Sequence, residues 1–165
     1  MDFTKQEYFY ASVCKNQDFI LVVTYSGRGI IARDPDGFQT ILPLEVSDEE
    51  LGQATLLALA KSRILDVSEI GPFMNRDNVK KRYDAWVADL ITKYNYKTKR
   101  VLLKNMMQCT VEIRDGLLTI SPSCHEKLEA WSGKGISDDD KVALSVNSTT
   151  EEIGAGVRLA FSRCR

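Results

Sequence analysis

The stretch that decides the predicted fold is Cys109–Gly133, which reads CTVEIRDGLLTISPSCHEKLEAWSG. Asp115 and Gly116 suit a two-residue type I′ turn, because both central positions need positive φ, which glycine adopts freely and aspartate tolerates. With that turn, apolar residues of the two flanking segments fall opposite each other, namely Ile113 with Leu118 and Val111 with Ile120. A slip of one residue would turn these side chains outward, and Pro122 ends the pairing because it has no N–H to donate. The stretch therefore predicts a β-hairpin.

Further strands and helices are predicted on either side of this hairpin. Aromatic and β-branched runs separated by turn sequences indicate an N-terminal antiparallel meander of about four strands, with strands at Tyr8–Cys14, Phe19–Tyr25, Ile30–Arg33 and Phe38–Leu42. Val142–Val146 is a further strand. Apolar stripes at helical spacing predict helices over 48–62, 78–94 and 149–163. The first and last of these begin with capping-box pairs, Ser47 with Glu50 and Ser148 with Glu151.

The remaining segments are less regular. Residues 97–107 fit either a strand or a short helix capped by Thr98. Ile70–Phe73 is predicted to break the chain before the second helix, because Pro72 disfavours helix at the residue that precedes it. His125–Trp131 fits one or two helical turns. In the first helix the predicted inner stripe is Leu51, Ala54, Leu57 and Ala58. In the second helix Tyr83 and Trp86 are interpreted as core residues, with Lys80, Lys81 and Arg82 on a solvated face. The predicted fold class is α+β, a single domain over 1–165 with a mainly antiparallel β-sheet and three to four helices.

Composition places the chain among ordinary globular domains. It has 165 residues, 44% of them hydrophobic, which is enough for one domain with a substantial core. The first residues, MDFTKQEYFY, lack the basic and apolar regions of a signal peptide, and the longest apolar run, Phe19–Val23, is far too short to span a bilayer. We therefore expect a cytoplasmic protein without membrane contact.

The cysteines and the single histidine do not form a recognisable chemical motif. Cys14, Cys109, Cys124 and Cys164 are widely separated, so neither a disulfide framework nor a zinc site is expected. A hydrolase using Cys124, His125 and Glu126 is one alternative, which would require these side chains to converge in a cleft with an orienting group. No catalytic residue, metal or other cofactor is predicted.

The net charge of −1 conceals a polarised distribution. Residues 34–50 hold six acidic side chains and no lysine or arginine, whereas residues 76–104 hold nine basic and three acidic side chains. The basic segment with Tyr94 and Tyr96 has the mixture of charge and aromatic rings that binds nucleic acid, which is a second alternative function. A pI near 5.9 and the absence of a nucleic-acid motif weigh against it, so direct nucleic-acid binding is not expected.

Four stretches together resemble one family of bacterial contact-dependent growth inhibition immunity proteins. They are YFYASVCKNQDFILVVTYSGRG near the start, YKTKRVLLKNM in the middle, HEKLEAWSGKGISDDD after the hairpin, and the ending EEIGAGVRLAFSRCR. The resemblance implies a non-catalytic cytoplasmic protein that binds and blocks the C-terminal toxin domain delivered by a neighbouring cell. It further implies that the toxin is a nuclease, and that a toxin β-hairpin can add to the immunity protein's sheet.

A basic nuclease would be attracted by acidic surfaces, because complementary charge speeds and orients encounter. The candidate toxin-binding residues are therefore the acids Asp138, Asp139, Asp140, Glu45, Asp48 and Glu49. The exposed edges of the sheet are the second kind of candidate surface, because an edge strand offers unpaired main-chain groups to a partner strand.

Overall fold

The structure, a computed structural model, describes all residues 1–165. It contains nine β-strands, five α-helices and a short 3₁₀ turn at Asp138–Asp140. The strands are β1 (Tyr8–Lys15), β2 (Ile20–Arg28), β3 (Ile30–Arg33), β4 (Gln39–Leu42), β5 (Met107–Arg114), β6 (Leu117–Ser121), β7 (Cys124–Lys127), β8 (Ala130–Ser132) and β9 (Val142–Ser145). The helices are α1 (Asp48–Ala60), α2 (Val67–Met74), α3 (Arg76–Tyr94), α4 (Lys99–Leu103) and α5 (Thr150–Ser162).

Seven strands form one antiparallel sheet, which confirms the predicted α+β class. Its order is β3-β2-β1-β5-β6-β9, and β4 pairs with β2 beyond the end of β3. The predicted meander is therefore wrong in one respect: β3 and β4 lie in line along one edge of β2 instead of pairing with each other. The sheet has two edges, formed by β3 with β4 on one side and by β9 on the other.

The hairpin of β5 and β6 has the predicted register. Ile113 pairs with Leu118 and Val111 with Ile120. Asp115 and Gly116 have φ values of 51° and 76°, as a type I′ turn requires. Alternation within one short stretch was enough to specify this element.

One face of the sheet is covered by α1 and α5. The core on this side joins apolar residues of both helices to inward-facing residues of β1, β2, β5 and β6. The two helices cross so closely that a Cβ on Gly154 would lie 1.9 Å from the Asp48 carbonyl oxygen, and one on Gly52 would lie 1.7 Å from that of Thr150. Of the predicted α1 stripe, Leu51, Ala54 and Ala58 are buried, whereas Leu57 is exposed and Leu59 takes its place.

The opposite face is covered at only one end. There α3, α4 and the separate β7–β8 hairpin pack over a second core cluster that includes Phe19, Leu21, Leu90, Leu102 and Met106. Residues 97–107 were compatible with a short helix or a strand, and the chain forms one after the other: Thr98 caps α4, and β5 begins at Met107. None of the helices is long and apolar enough to cross a membrane.

Three local predictions are wrong. Ile70–Phe73 is not a break but part of α2, where the residue preceding Pro72 is Gly71, which has no Cβ to clash with the proline ring. His125–Trp131 is not helical but forms β7 and β8, with the His125 and Trp131 rings stacked across the pair at 4.5 Å. The cap of α5 also lies one residue later than predicted, at Thr149 with Glu152.

Candidate functional site

A partly open cavity of about 290 Å³ lies between α3, β3 and the β7–β8 hairpin. Its volume corresponds to roughly ten waters at ~30 Å³ each, near the lower limit for a ligand site. The lining is largely apolar and comes from six parts of the chain: Cys14, Val23, Tyr25, Ile31, Ala32, Arg33, Val79, Arg82, Tyr83, Trp86, Met106, Gln108, Glu129 and Trp131. Such a recess has room for a few side chains of a partner rather than for a large cofactor.

Two arginines bring positive charge to this cavity. The Arg33 guanidinium lies 5.3 Å from the Trp86 ring centroid, and its Nη2 donates to the carbonyl oxygen of Arg82 at 2.9 Å. The Arg82 guanidinium packs 5.0 Å from the Phe73 ring centroid, and its Nη2 donates to the Phe73 carbonyl oxygen at 2.6 Å. Neither guanidinium forms an ion pair with a carboxylate.

The β7–β8 hairpin supplies the opposite wall. Trp131 Nε1 donates to the carbonyl oxygen of Met106 at 2.9 Å, which fixes its indole against the second core cluster. The only acid in the lining, Glu129, pairs with Lys99 at 2.8 Å, and this hydrogen bond holds the pKa of the Glu129 carboxyl below its usual value. Trp86 differs from Trp131 in that its buried Nε1 has no hydrogen-bond acceptor.

The cavity adjoins an unpaired strand edge. Ile31, Ala32 and Arg33 of β3 line it, and β3 pairs with β2 on one side only. Ile30 at the start of this strand is 70% exposed, a large apolar side chain at an open edge. An added strand could hydrogen-bond to the main chain of β3 while its side chains enter the cavity.

The predicted acidic residues near α1 have divided roles. Asp48 is half-buried, and its Oδ1 accepts from Arg158 Nε at 2.7 Å. Arg158 also donates to the carbonyl oxygens of Leu44 and Val46, so Asp48 helps to fasten the start of α1 to α5. Glu45 and Glu49 are exposed and form no ion pair. The structure therefore gives Asp48 a structural role and leaves the other two available to solvent.

The acids at Asp138–Asp140 are divided in the same way. Asp140 Oδ2 accepts from the Ser137 backbone N–H at 2.8 Å, which lowers the pKa of the Asp140 carboxyl, and it lies 3.5 Å from Arg165 Nη2. Asp138 pairs with Lys141 at 2.7 Å. Asp139 is exposed without an ion-pair partner. None of the six predicted acids lines the cavity.

Cys124 and His125 do not form a catalytic arrangement. They are neighbours on β7, so their side chains point to opposite faces of the hairpin. His125 Nε2 lies 3.0 Å from the Leu128 carbonyl oxygen and the ring stacks on Trp131, so the histidine is occupied in holding the hairpin together. No group of three or more metal-ligating side chains is present.

The basic segment 76–104 is partly neutralised by the protein's own acids. Lys80 pairs with Asp84 and Lys99 with Glu129, whereas Arg82 packs its guanidinium on Phe73 instead of joining a solvated basic face. Single-stranded nucleic acid would need aromatic rings free to stack on bases, but Tyr94 stacks on Phe19 at 4.5 Å and the Tyr96 hydroxyl donates to Asp18.

The cavity is the feature that the sequence did not reveal. Tyr83 and Trp86 were interpreted as core residues; they are half-buried and pack at the margin of the second core cluster, where they line the cavity. Arg33 had no predicted role, since a single arginine ending a short strand carries no motif. The one available signal was an aromatic stripe beside arginines on α3, which is common on ordinary amphipathic helices.

Comparisons with known proteins relate the whole chain to one family. A family model described as CDI immunity protein matches residues 9–164. Immunity protein CdiI-YPIII of Yersinia pseudotuberculosis serotype O:3 (strain YPIII) is 43% identical over 169 residues, covering 94% of this chain and 95% of that protein. A solved protein of unknown function, NMB0488 from Neisseria meningitidis, has a TM-score of 0.94 and 41% identity, covering 100% of both chains. A chain of the CdiA-CT/CdiI toxin and immunity complex from Yersinia pseudotuberculosis has a TM-score of 0.90 and 40% identity, covering 97% of this chain and 99% of that one.

Proposed function

This chain belongs to the family of CDI immunity proteins, and we propose that in the cytoplasm it binds the C-terminal toxin domain of its cognate contact-dependent growth inhibition system and neutralises it by occlusion. The likeness to a chain of a toxin and immunity complex over nearly the whole length supports binding of a CdiA-CT domain. The proposed binding unit is the single domain over residues 1–165.

We place the proposed toxin contact at the open edge of β3 and the adjoining cavity. This proposal depends on one observation: an unpaired edge strand and a largely apolar recess share Ile31, Ala32 and Arg33. A toxin strand added to β3 would gain main-chain hydrogen bonds, and alternate side chains of that strand would enter the recess and give specificity. No residue of β9, the strand at the other edge, lines this cavity.

We further propose that the toxin is a nuclease and that the exposed acids steer it. A nuclease surface that attracts phosphate is basic, and Glu45, Glu49 and Asp139 carry negative charge that no internal ion pair neutralises. These residues would act mainly on the rate of encounter. Asp48, Asp138 and Asp140 would contribute less, because a neighbouring cation balances each of them.

Inhibition by occlusion requires no chemistry from the immunity protein, so we propose that it is not an enzyme. The positions of Cys124 and His125 support this proposal, because their side chains diverge and the histidine is bonded to Leu128.

Matched substitutions at the two sheet edges test the proposed contact. Ala32→Trp on β3 would fill the recess, whereas Ala143→Trp adds the same bulk to exposed β9 at the other edge. We expect Ala32→Trp to weaken toxin binding by more than about tenfold and to abolish protection of cells expressing the toxin, a loss of about 1.4 kcal/mol or more. Ala143→Trp should bind and protect like the wild type. The reverse pattern would move the contact to β9, and a wild-type protein that neither binds nor protects against the neighbouring gene's toxin would remove the proposed function.

A further inference from the structure

The charge inside the cavity is unbalanced. Arg33 and Arg82 both line it without a carboxylate partner, and the only acid there, Glu129, is already paired with Lys99. Burial lowers the pKa of Arg33, and the neighbouring Arg82 charge acts in the same direction, whereas Tyr25 and Asp89 oppose the shift. A negative group that entered this largely apolar recess would therefore lower the energy of both arginines.

The cavity also holds unused hydrogen-bond donors. An arginine has five N–H donors, and each of these two uses one on a backbone carbonyl, Arg33 on Arg82 and Arg82 on Phe73. The Nε1–H of Trp86 also lacks an acceptor, but this atom is buried out of reach of a group that enters the recess, so the available donors are those of the two arginines.

A carboxylate satisfies both conditions, whereas other common side chains satisfy one at most. Its two oxygens accept several hydrogen bonds, including a paired set from a guanidinium, and its charge balances the arginines. A carbonyl or amide oxygen would accept hydrogen bonds from the arginines but would leave their positive charge uncompensated. A lysine or arginine would add to that charge.

We propose that the cavity receives the carboxylate of an aspartate or glutamate carried by the toxin segment that docks at β3. This inference rests on the proposed function, and we call the toxin carboxylate in the cavity the carboxylate anchor. The body of the toxin would be basic and steered by the exposed acids Glu45, Glu49 and Asp139, whereas the side chain that enters the recess would be acidic. The surrounding apolar lining strengthens the resulting ion pair by excluding water.

Binding of the cognate toxin domain to a pair of variants tests the anchor. Arg33→Gln removes the charge in the cavity and keeps a polar side chain. Arg76→Gln is the control, because Arg76 is exposed, unpaired and outside the cavity. We expect affinity to fall ten- to a hundredfold for Arg33→Gln, with less than a threefold change for Arg76→Gln.

A double-mutant cycle identifies the partner group. Each aspartate and glutamate on the toxin face that docks is changed to its amide and combined with Arg33→Gln. One toxin position should show non-additive losses, so that the double variant binds about as well as the weaker single variant. If no toxin carboxylate couples to Arg33, the anchor is refuted.

Binding by the wild-type protein separates the anchor from the proposed function. If the wild type binds toxin but no toxin carboxylate couples to Arg33, the carboxylate anchor is overturned and the proposed function remains intact. Failure of the wild type to bind toxin would overturn the proposed function itself.

Discussion

Replacing Gly154 with alanine should disrupt the crossing of α1 and α5 on which one side of the sheet depends. A Cβ at this position would lie 1.9 Å from the Asp48 carbonyl oxygen and 2.5 Å from its carbon, far inside ordinary contact. Both atoms belong to helical backbone, so the helices must separate by roughly 1.5 Å to reach normal van der Waals distance. Gly156 on the same helix is a matched control, because its added Cβ would meet only side-chain methyl groups, at 3.0 Å from Leu144 Cδ1 and 3.2 Å from Ile120 Cδ1.

The two variants should differ in unfolding free energy because they share the gain in helix propensity but not the cost of overpacking. Alanine gains about 1 kcal/mol over glycine in either helix position. Overpacking typically costs about 1–3 kcal/mol, and we place Gly154→Ala at or above the upper end because backbone cannot rotate aside. Net destabilisation should be about 2 kcal/mol or more for Gly154→Ala, and within about 1 kcal/mol of zero for Gly156→Ala. Urea unfolding midpoints at constant slope measure both, and equal midpoints would show that α1 and α5 are not held at this crossing.

Four further predictions concern charge and thiol chemistry. Arg63 donates to the fully buried Asp34 carboxylate at 2.7 Å, so Arg63→Met should cost about 1–3 kcal/mol in unfolding free energy. Burial tends to raise the pKa of Asp34, but its hydrogen bonds, chiefly from Arg63, lower it, so this stabilisation should be present above about pH 4 and be lost as the pH falls through the folded pKa. A pH series of urea titrations would detect this loss in the wild type and its absence in Asp34→Asn. A hydrogen bond with the Cys109 thiol, 3.6 Å away, lowers the pKa of half-buried Cys164 to about 7. Alkylation of Cys164 by iodoacetamide, measured by peptide mass spectrometry, should therefore rise through pH 7 and level off above pH 8. Cys14, whose pKa burial raises to about 12, should stay unmodified. Cys124→Ser and His125→Ala should retain protection in a toxin-expression assay provided that they fold; loss of protection by a folded variant that still binds toxin would indicate a chemical role. Reversal of Glu45, Glu49 and Asp139 to lysine should slow toxin association in stopped-flow at low salt, whereas reversal of Lys80 and Lys81 should not, and an unchanged rate and salt dependence for the acidic variant would remove these residues from the steering surface.

Prediction from the sequence succeeded where the determining interactions are local. The β5–β6 register follows from the alternation of a dozen residues around Asp115-Gly116, and the α1 cap follows from Ser47, whose hydroxyl accepts from the Glu50 backbone N–H at 3.1 Å. In both cases the residues that decide the conformation are neighbours in the chain. Long-range packing could not have altered these elements without exposing their apolar faces.

The β7–β8 hairpin shows the opposite case. Its sequence, HEKLEAW, is rich in good helix formers, which is why helical turns were predicted. The strands are held instead by distant partners: the His125 backbone N–H donates to the carbonyl oxygen of Arg165 at 2.7 Å, and Trp131 donates to Met106. Tertiary contacts of this kind override propensity and leave no local signal.

The cavity was unpredictable for the same reason, because its charged residues come from distant segments. Arg33 ends β3, Arg82 lies on α3 and Glu129 lies between β7 and β8. Glu129 forms its ion pair with Lys99 rather than with an arginine of the cavity, because α4 places Lys99 beside it. The unbalanced positive charge of the cavity therefore arises only in the folded protein. Counting charged residues over 76–104 could not have predicted it.

The two kinds of charge on this protein should be separable by kinetics. Exposed Glu45, Glu49 and Asp139 would act across solvent, where salt screens charges over ~10 Å at 0.1 M, so their loss should change the association rate and its salt dependence. Arg33 would act only after docking, within a recess from which water is excluded, so its loss should raise the dissociation rate with little effect of salt. Because affinity differences between related complexes lie mostly in the dissociation rate, recognition of one toxin among related toxins should depend on the cavity rather than on the acidic surface.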